Sequence, residues 1–200
     1  MKEFLFDKEH FNENDWIYAV TSRPGWDEPI KFTQLDDCLV SKRLPKEKAI
    51  VDEFEFISFV SREAYKPDNL WVELDCKFEV FGAPCIVFSN EWFANKDGVN
   101  VFRKHSEFCC YKGGVNIWDY RHGGDRMLVK SVARLAFPIE ENKKITLRAE
   151  FNNGTIKTGV GNVFVTIPFD LPDELHIGVT ACEGINSFYA MRFGKLDETK

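Results

Sequence analysis

Residues 69–89, NLWVELDCKFEVFGAPCIVFS, constrain the fold more than any other stretch. In the first half Leu70, Val72, Leu74, Cys76, Phe78 and Val80 alternate without a break with Trp71, Glu73, Asp75, Lys77 and Glu79. A period of two gives a strand with one dry face and one wet face. At about 3.3 Å per residue this strand is roughly 35 Å long, enough to cross a whole sheet. Phe81-Gly82-Ala83-Pro84 then turns the chain, and Cys85-Ile86-Val87-Phe88 runs back, apolar on both faces. The stretch predicts a large antiparallel β-sheet and by itself carries no function.

The remainder of the chain agrees with that reading. Phe4-Leu5-Phe6, residues 16–20 and Cys38-Leu39-Val40 read as short strands, with Arg23-Pro24-Gly25-Trp26 as a turn. In residues 50–60, Phe54 and Phe56 share one face while Ile57 and Phe59 share the other, a phase change that predicts a bulge or twist. Residues 90–100 read as an exposed loop turning at Lys96-Asp97-Gly98. Residues 99–103, 108–111 and 115–120 are three short strands, the last two joined by a tight turn at Lys112-Gly113-Gly114. Residues 121–125 form a second loop. Residues 127–137 are ambiguous: Leu128, Val132, Leu135 and Ala136 have helical spacing, and the β-rich surroundings favour a strand. Alternating residues 145–151 and 175–181, the pair 155–160 and 163–167 across Gly161-Asn162, and a closing strand at 188–193 complete the pattern. About a dozen strands without a long helix or a repeat predict one all-β domain over residues 1–200, a two-sheet antiparallel β-sandwich or jelly roll.

Composition narrows the partners. The chain has 44% hydrophobic residues, enough for a full core, and its nineteen Phe suit the gap between two sheets. A net charge of −6 argues against nucleic acid and against an anionic membrane surface. No apolar run is long enough to span a bilayer, and the N-terminus lacks the apolar core of a signal peptide. Cys38, Cys76, Cys85, Cys109, Cys110 and Cys182 show no C-x-x-C spacing and sit mostly in strand patterns, so they read as buried free thiols of a cytoplasmic protein.

A family resemblance follows from strand order and turn placement over residues 50–195. An alternating strand ending in Phe-Gly-Ala-Pro precedes a Gly-Val-Asn-Ile-Trp strand (114–118) and a hairpin with Asn-Gly and Gly-Asn turns (153–162). Asp170 with Pro172, the run Ile177-Gly178-Val179-Thr180-Ala181-Cys182-Glu183-Gly184 and a final Phe-Tyr strand come next. This order resembles the concanavalin A-like lectin/glucanase superfamily in its laminin G-like bacterial branches. The resemblance implies two bent antiparallel sheets with a ligand groove on the concave face or its rim; the fold does not fix the function.

Three sets of candidate residues follow. Family 16 glycoside hydrolases of this superfamily carry Glu-x-Asp-x-Glu or a bulged Glu-x-Asp-x-x-Glu, so the resemblance implies catalytic roles for Glu73, Asp75 and Glu79. Position 77 is Lys, however, and Glu79 falls one residue beyond the bulged form. On a regular strand Glu73 and Glu79 stand about 20 Å apart, whereas retaining hydrolysis needs its carboxyls at about 5–5.5 Å. A solvated, charge-alternating face is the competing reading. The second set is Trp92, Asn116, Trp118, Tyr120, Arg121 and His122, which combines flat aromatic platforms with planar hydrogen-bonding groups, as sugars require. Asn116, Trp118 and Tyr120 share one face of their strand, opposite Val115 and Ile117; outward packing against a loop is the alternative. The third set, Asp97, Asn100, Asp125 and Asp170, offers oxygens to calcium without a loop motif, so no metal is expected, nor any other cofactor. The function expected is oligosaccharide binding. A glycoside hydrolase or polysaccharide lyase and a protein-interaction sandwich, associating as a homodimer through its edge strands, are the alternatives.

Overall fold

A computed structural model describes residues 1–21, 31–43, 56–123, 126–182 and 184–198. The expected turn at Arg23–Trp26, residues 50–55 and the candidate ligand Asp125 lie outside the described residues. Fifteen strands are described: β1 (Lys2–Leu5), β2 (Trp16–Thr21), β3 (Thr33–Gln34), β4 (Leu39–Arg43), β5 (Phe56–Ser61), β6 (Leu70–Glu79), β7 (Pro84–Ala94), β8 (Asn100–Tyr111), β9 (Gly114–Gly123), β10 (Arg126–Ala136), β11 (Ile145–Asn152), β12 (Thr155–Val160), β13 (Val163–Pro168), β14 (His176–Ala181) and β15 (Gly184–Lys195). They form a two-sheet, almost wholly antiparallel sandwich, as the alternation predicts. No helix among the described residues is long and apolar enough to cross a membrane.

The first sheet runs β13-β12-β11-β6-β15-β4-β3, with β1 also on β15. The long alternating strand, β6, lies at its centre between β11 and β15. Leu70, Val72, Leu74, Cys76 and Phe78 enter the core between the sheets, beside Leu147, Phe151, Phe188 and Met191. Trp71 departs from its expected wet position. It is only 6% exposed, because the Arg148 guanidinium covers its ring at 5.1 Å and Gly194 leaves it room. A Cβ on Gly194 would stand 2.7 Å from the indole.

In the second sheet β9 pairs with β10 and β8, β8 with β7, β7 with β14, β14 with β5 and β5 with β2. The circuit then closes: β2 returns to the start of β8 in a short parallel pairing, Ala19 with Asn100 and Val20 with Val101. The sheet must curl to make that contact. Inside the curl Ala19, Val60, Val87 and Phe102 form a small second core, capped by Ile17 and Trp92.

Two expectations are corrected and a third, the strand favoured over 127–137, is borne out. Residues 90–100 are mostly strand: β7 passes through irregularities near Glu91 and continues to Ala94, leaving a short turn in which Asn95 Oδ1 accepts from the Asp97 and Val99 amides. The two short strands expected over 99–111 are one, β8. The ambiguous segment 127–137 is strand β10. A bulge between Ser131 and Ala133 shifts its phase, which is how a strand acquired helix-like spacing. The Asn153-Gly154 turn forms as expected, both residues taking left-handed φ (47° and 69°), the geometry that favours this dipeptide in hairpins.

Candidate functional site

Strand β9 shows how local sequence places the site. Val115 and Ile117 are buried in the sandwich core, so strand alternation sends Asn116, Trp118 and Tyr120 to the other face of the curled sheet. There they meet Cys109 and Tyr111 of β8, Phe56 of β5, Cys182 and Val129 around a cavity of about 360 Å³. Phe56, Tyr120 and Met127 form a buried apolar cluster against which the half-buried Trp118 packs. Phe81, 75% exposed, stands at the cavity rim. It is held there by an uncommon backbone, since both Val80 and Phe81 take left-handed φ (46° and 65°), a conformation disfavoured for β-branched and bulky residues.

Polar groups lie beneath this apolar surface. The His105 ring is stacked between Phe102 (4.6 Å) and Tyr120 (4.5 Å, nearly parallel), which links the small core inside the curl to the cavity. His105 Nε2 lies 3.1 Å from Thr21 Oγ1 and 3.2 Å from Oε1 of the fully buried Glu107. Burial and then the Glu107 charge push the Tyr120 phenol far above its usual value, so it stays neutral. Burial also pushes the Cys85 and Cys109 thiols well up. Asn116 Oδ1 is buried without a hydrogen-bond partner at the cavity wall, and such an atom calls for an explanation in a folded protein.

The structure divides the expected ligand residues. Asn116, Trp118 and Tyr120 come together at the cavity, Tyr120 as a buried wall at 5% exposure. The other three lie elsewhere. Arg121 is exposed and donates to Asp119 Oδ2 at 3.1 Å, since alternation turns it away from Trp118. Trp92 caps the small core and meets His176 edge-on at 4.8 Å. His122 sits against Phe93 at 5.3 Å. Phe56, Phe81, Tyr111, Cys109 and Cys182 join the cavity without a sequence signal; the parity of β8 groups Glu107, Cys109 and Tyr111, but which strands adjoin β8 is not written in that parity.

Glu73, Asp75 and Glu79 stand on the first sheet, on the face away from the core and on the opposite side of the sandwich from the cavity. Arg192 donates to both Asp75 oxygens at 2.9 and 3.0 Å and to Glu73 at 3.4 Å. Arg148 joins Glu73 (2.6 Å) to Glu150 (2.8 Å), Thr146 donates to Asp75 at 2.6 Å, and Glu79 pairs with Lys77 at 2.7 Å. Burial alone would raise the Asp75 carboxyl, but the Arg192 and Thr146 hydrogen bonds outweigh it and hold the group below the usual carboxylate range. Cross-strand pairing to β11 and β15 explains this ladder: Arg148 and Arg192 both stand opposite Glu73. The arrangement is a charge-paired sheet face rather than two carboxyls opposed across a groove. Of the oxygen ligands considered for calcium, Asn100 donates to Tyr18 O at 3.0 Å.

The described strands form a two-sheet jelly roll with one sheet curled beside the cavity. Comparison with solved structures agrees: the chain has the concanavalin A-like lectin/glucanase fold. It is similar to the carbohydrate-binding module CBM66 from Bacillus subtilis at 16% identity and a TM-score of 0.54, covering 80% of this chain and 88% of that one. A glycoside hydrolase family 16 endo-glucanase from Bacteroides ovatus gives 11% identity and a TM-score of 0.59, over 96% of this chain and 99% of that one. The exoplasmic/lumenal domain of VIP36, bound to calcium and mannose, gives 10% identity and a TM-score of 0.56, over 97% and 89%. No protein-family model and no curated protein sequence matches the chain.

Proposed function

We propose that this protein binds an oligosaccharide, without cleaving it, in the cavity formed by Asn116, Trp118, Tyr120, Tyr111, Phe56 and Phe81. The observation that carries the reading is the half-buried Trp118 beside the unpartnered Asn116 Oδ1. An indole face accepts the C–H face of a pyranose, and the Asn116 carboxamide is a planar hydrogen-bonding group at the same wall. The strained Val80-Phe81 turn adds a second platform at the rim, in keeping with the clustering of strained backbone at ligand clamps. Binding rather than hydrolysis is favoured because the carboxylates Glu73 and Asp75 are committed to arginines on the other sheet. The fold shared with carbohydrate-binding modules, lectins and glucanases is consistent with this reading.

The test is a glycan array including mixed-linkage glucan and mannose oligosaccharides, followed by calorimetry on any hit. Binding lost in Asn116→Ala and Trp118→Ala supports the proposal; no binding across the array overturns it. Association of two copies along the edge strands β10 or β13 belongs to the same proposal. A monomer throughout the micromolar range in light scattering counts against that part alone.

A further inference from the structure

At the floor of the cavity lies a cluster to which the glycan proposal assigns no role. Cys85 of β7, Glu107 and Cys109 of β8, and Cys182 just beyond β14 converge so that their sulfur and carboxylate oxygen atoms all lie within 4.8 Å of one another. Cys85 Sγ is 2.6 Å from Cys109 Sγ and 3.6 Å from Cys182 Sγ, and Cys109 Sγ is 3.8 Å from Glu107 Oε2. With Zn–S bonds of about 2.3 Å and Zn–O bonds of about 2.0–2.2 Å, a tetrahedral site has S···S edges of about 3.8 Å and S···O edges of about 3.5 Å. Two of the three separations already match. Cys85 and Cys109 face each other across the β7–β8 pairing, so a small side-chain rotation, widening their sulfurs by roughly 1 Å, completes the figure.

Glu107 supplies an independent observation. Its side chain is fully buried, yet among the described residues no Lys or Arg pairs with it; its contacts are His105 Nε2 at 3.2 Å and the Cys109 thiol at 3.8 Å. Buried carboxylates are normally paired or coordinate a metal. We propose that Cys85, Cys109, Cys182 and Glu107 bind a thiophilic divalent cation of the zinc class in a tetrahedral site of three sulfurs and one oxygen. On binding, the three thiols release their protons to solvent and bind the cation as thiolates, and Glu107 binds as the carboxylate. His105 Nε2, 3.2 Å from Glu107 Oε1, orients that carboxylate from outside the coordination sphere. Three sulfurs select against calcium and magnesium, which take oxygen ligands. Cys109 and Cys182 also line the aromatic cavity, so the metal would sit at its floor. The inference does not rest on the glycan reading.

The experiment uses the full chain, expressed with zinc and purified under reducing conditions. Elemental analysis should find one zinc per chain. Replacement by Co²⁺ should give thiolate-to-cobalt charge transfer and the strong visible bands of tetrahedral cobalt. Cys109→Ser and Cys182→Ser should lose the metal, and Glu107→Gln should bind it roughly tenfold or more weakly. Cys38→Ser, a buried thiol outside the cluster, should bind as the wild type does. Circular dichroism establishes that each variant is folded, and the wild-type cobalt spectrum stands independently of them. Absence of both zinc and cobalt–thiolate bands overturns the proposal. So does retention of zinc in the folded Cys109→Ser/Cys182→Ser double variant, or a native Cys85–Cys109 disulfide found by non-reducing peptide mapping.

Discussion

Replacing Trp118 by Ala separates a ligand platform from a structural ring. A pyranose stacked on the exposed part of the indole would cover on the order of 80 Å² of apolar surface, and at about 25 cal/mol per Å² that is worth about 2 kcal/mol. The expected loss of affinity is therefore roughly thirtyfold. Stability should change less. Trp118 packs against the Phe56–Tyr120–Met127 cluster and keeps part of its surface in solvent. Truncation should then cost about 1 kcal/mol, against about 3–5 kcal/mol for a fully buried aromatic such as Phe108. The assay is titration calorimetry with an array-positive glycan, paired with urea denaturation of Trp118→Ala and Phe108→Ala. Unchanged affinity in Trp118→Ala, or a stability loss as large as that of Phe108→Ala, would refute the reasoning and make Trp118 a packing residue.

Trp92→Ala, which opens the small core inside the curl rather than the cavity, should lower stability by about 2 kcal/mol and leave glycan affinity unchanged by calorimetry. Gly194→Ala should destabilise by about 1–3 kcal/mol in urea, since the new Cβ would fall 2.7 Å from the Trp71 indole. Phe81→Gly should relax a left-handed residue, raising stability by ~0.5 kcal/mol while weakening ligand binding. For pH, Asp75 is depressed in the fold. Its contribution to stability is complete above its unfolded value near 3.9 and is lost as pH falls through its lower folded value. Arg192→Met should cost about 2 kcal/mol at neutral pH and flatten the acid limb of the stability curve below about pH 4, read by thermal denaturation across pH.

Most strands, most of their buried faces and the all-β class were legible in the residue pattern. Alternation in β6, β9 and β11 separates core from surface with a period of two, a local property of the chain, and Asn153-Gly154 encodes its turn through backbone geometry alone. Alternation also put Asn116, Trp118 and Tyr120 on one face. It placed Arg121 on the opposite face of the strand, and proximity in sequence was a poor guide to that residue. Which strands are neighbours depends on long-range pairing. The return of β2 to β8 curls the second sheet, turns the expected 90–100 loop into a covering hairpin and takes Trp92 from the site. Opposed arginines on β11 and β15 turn Glu73 and Asp75 into a charge ladder. The meeting of Cys85, Cys109 and Cys182 with Glu107 depends on the β7–β8 and β7–β14 pairings, long-range contacts for which no spacing in the chain gives a sign. Periodicity records which way each side chain points; only pairing and curl decide what it meets there.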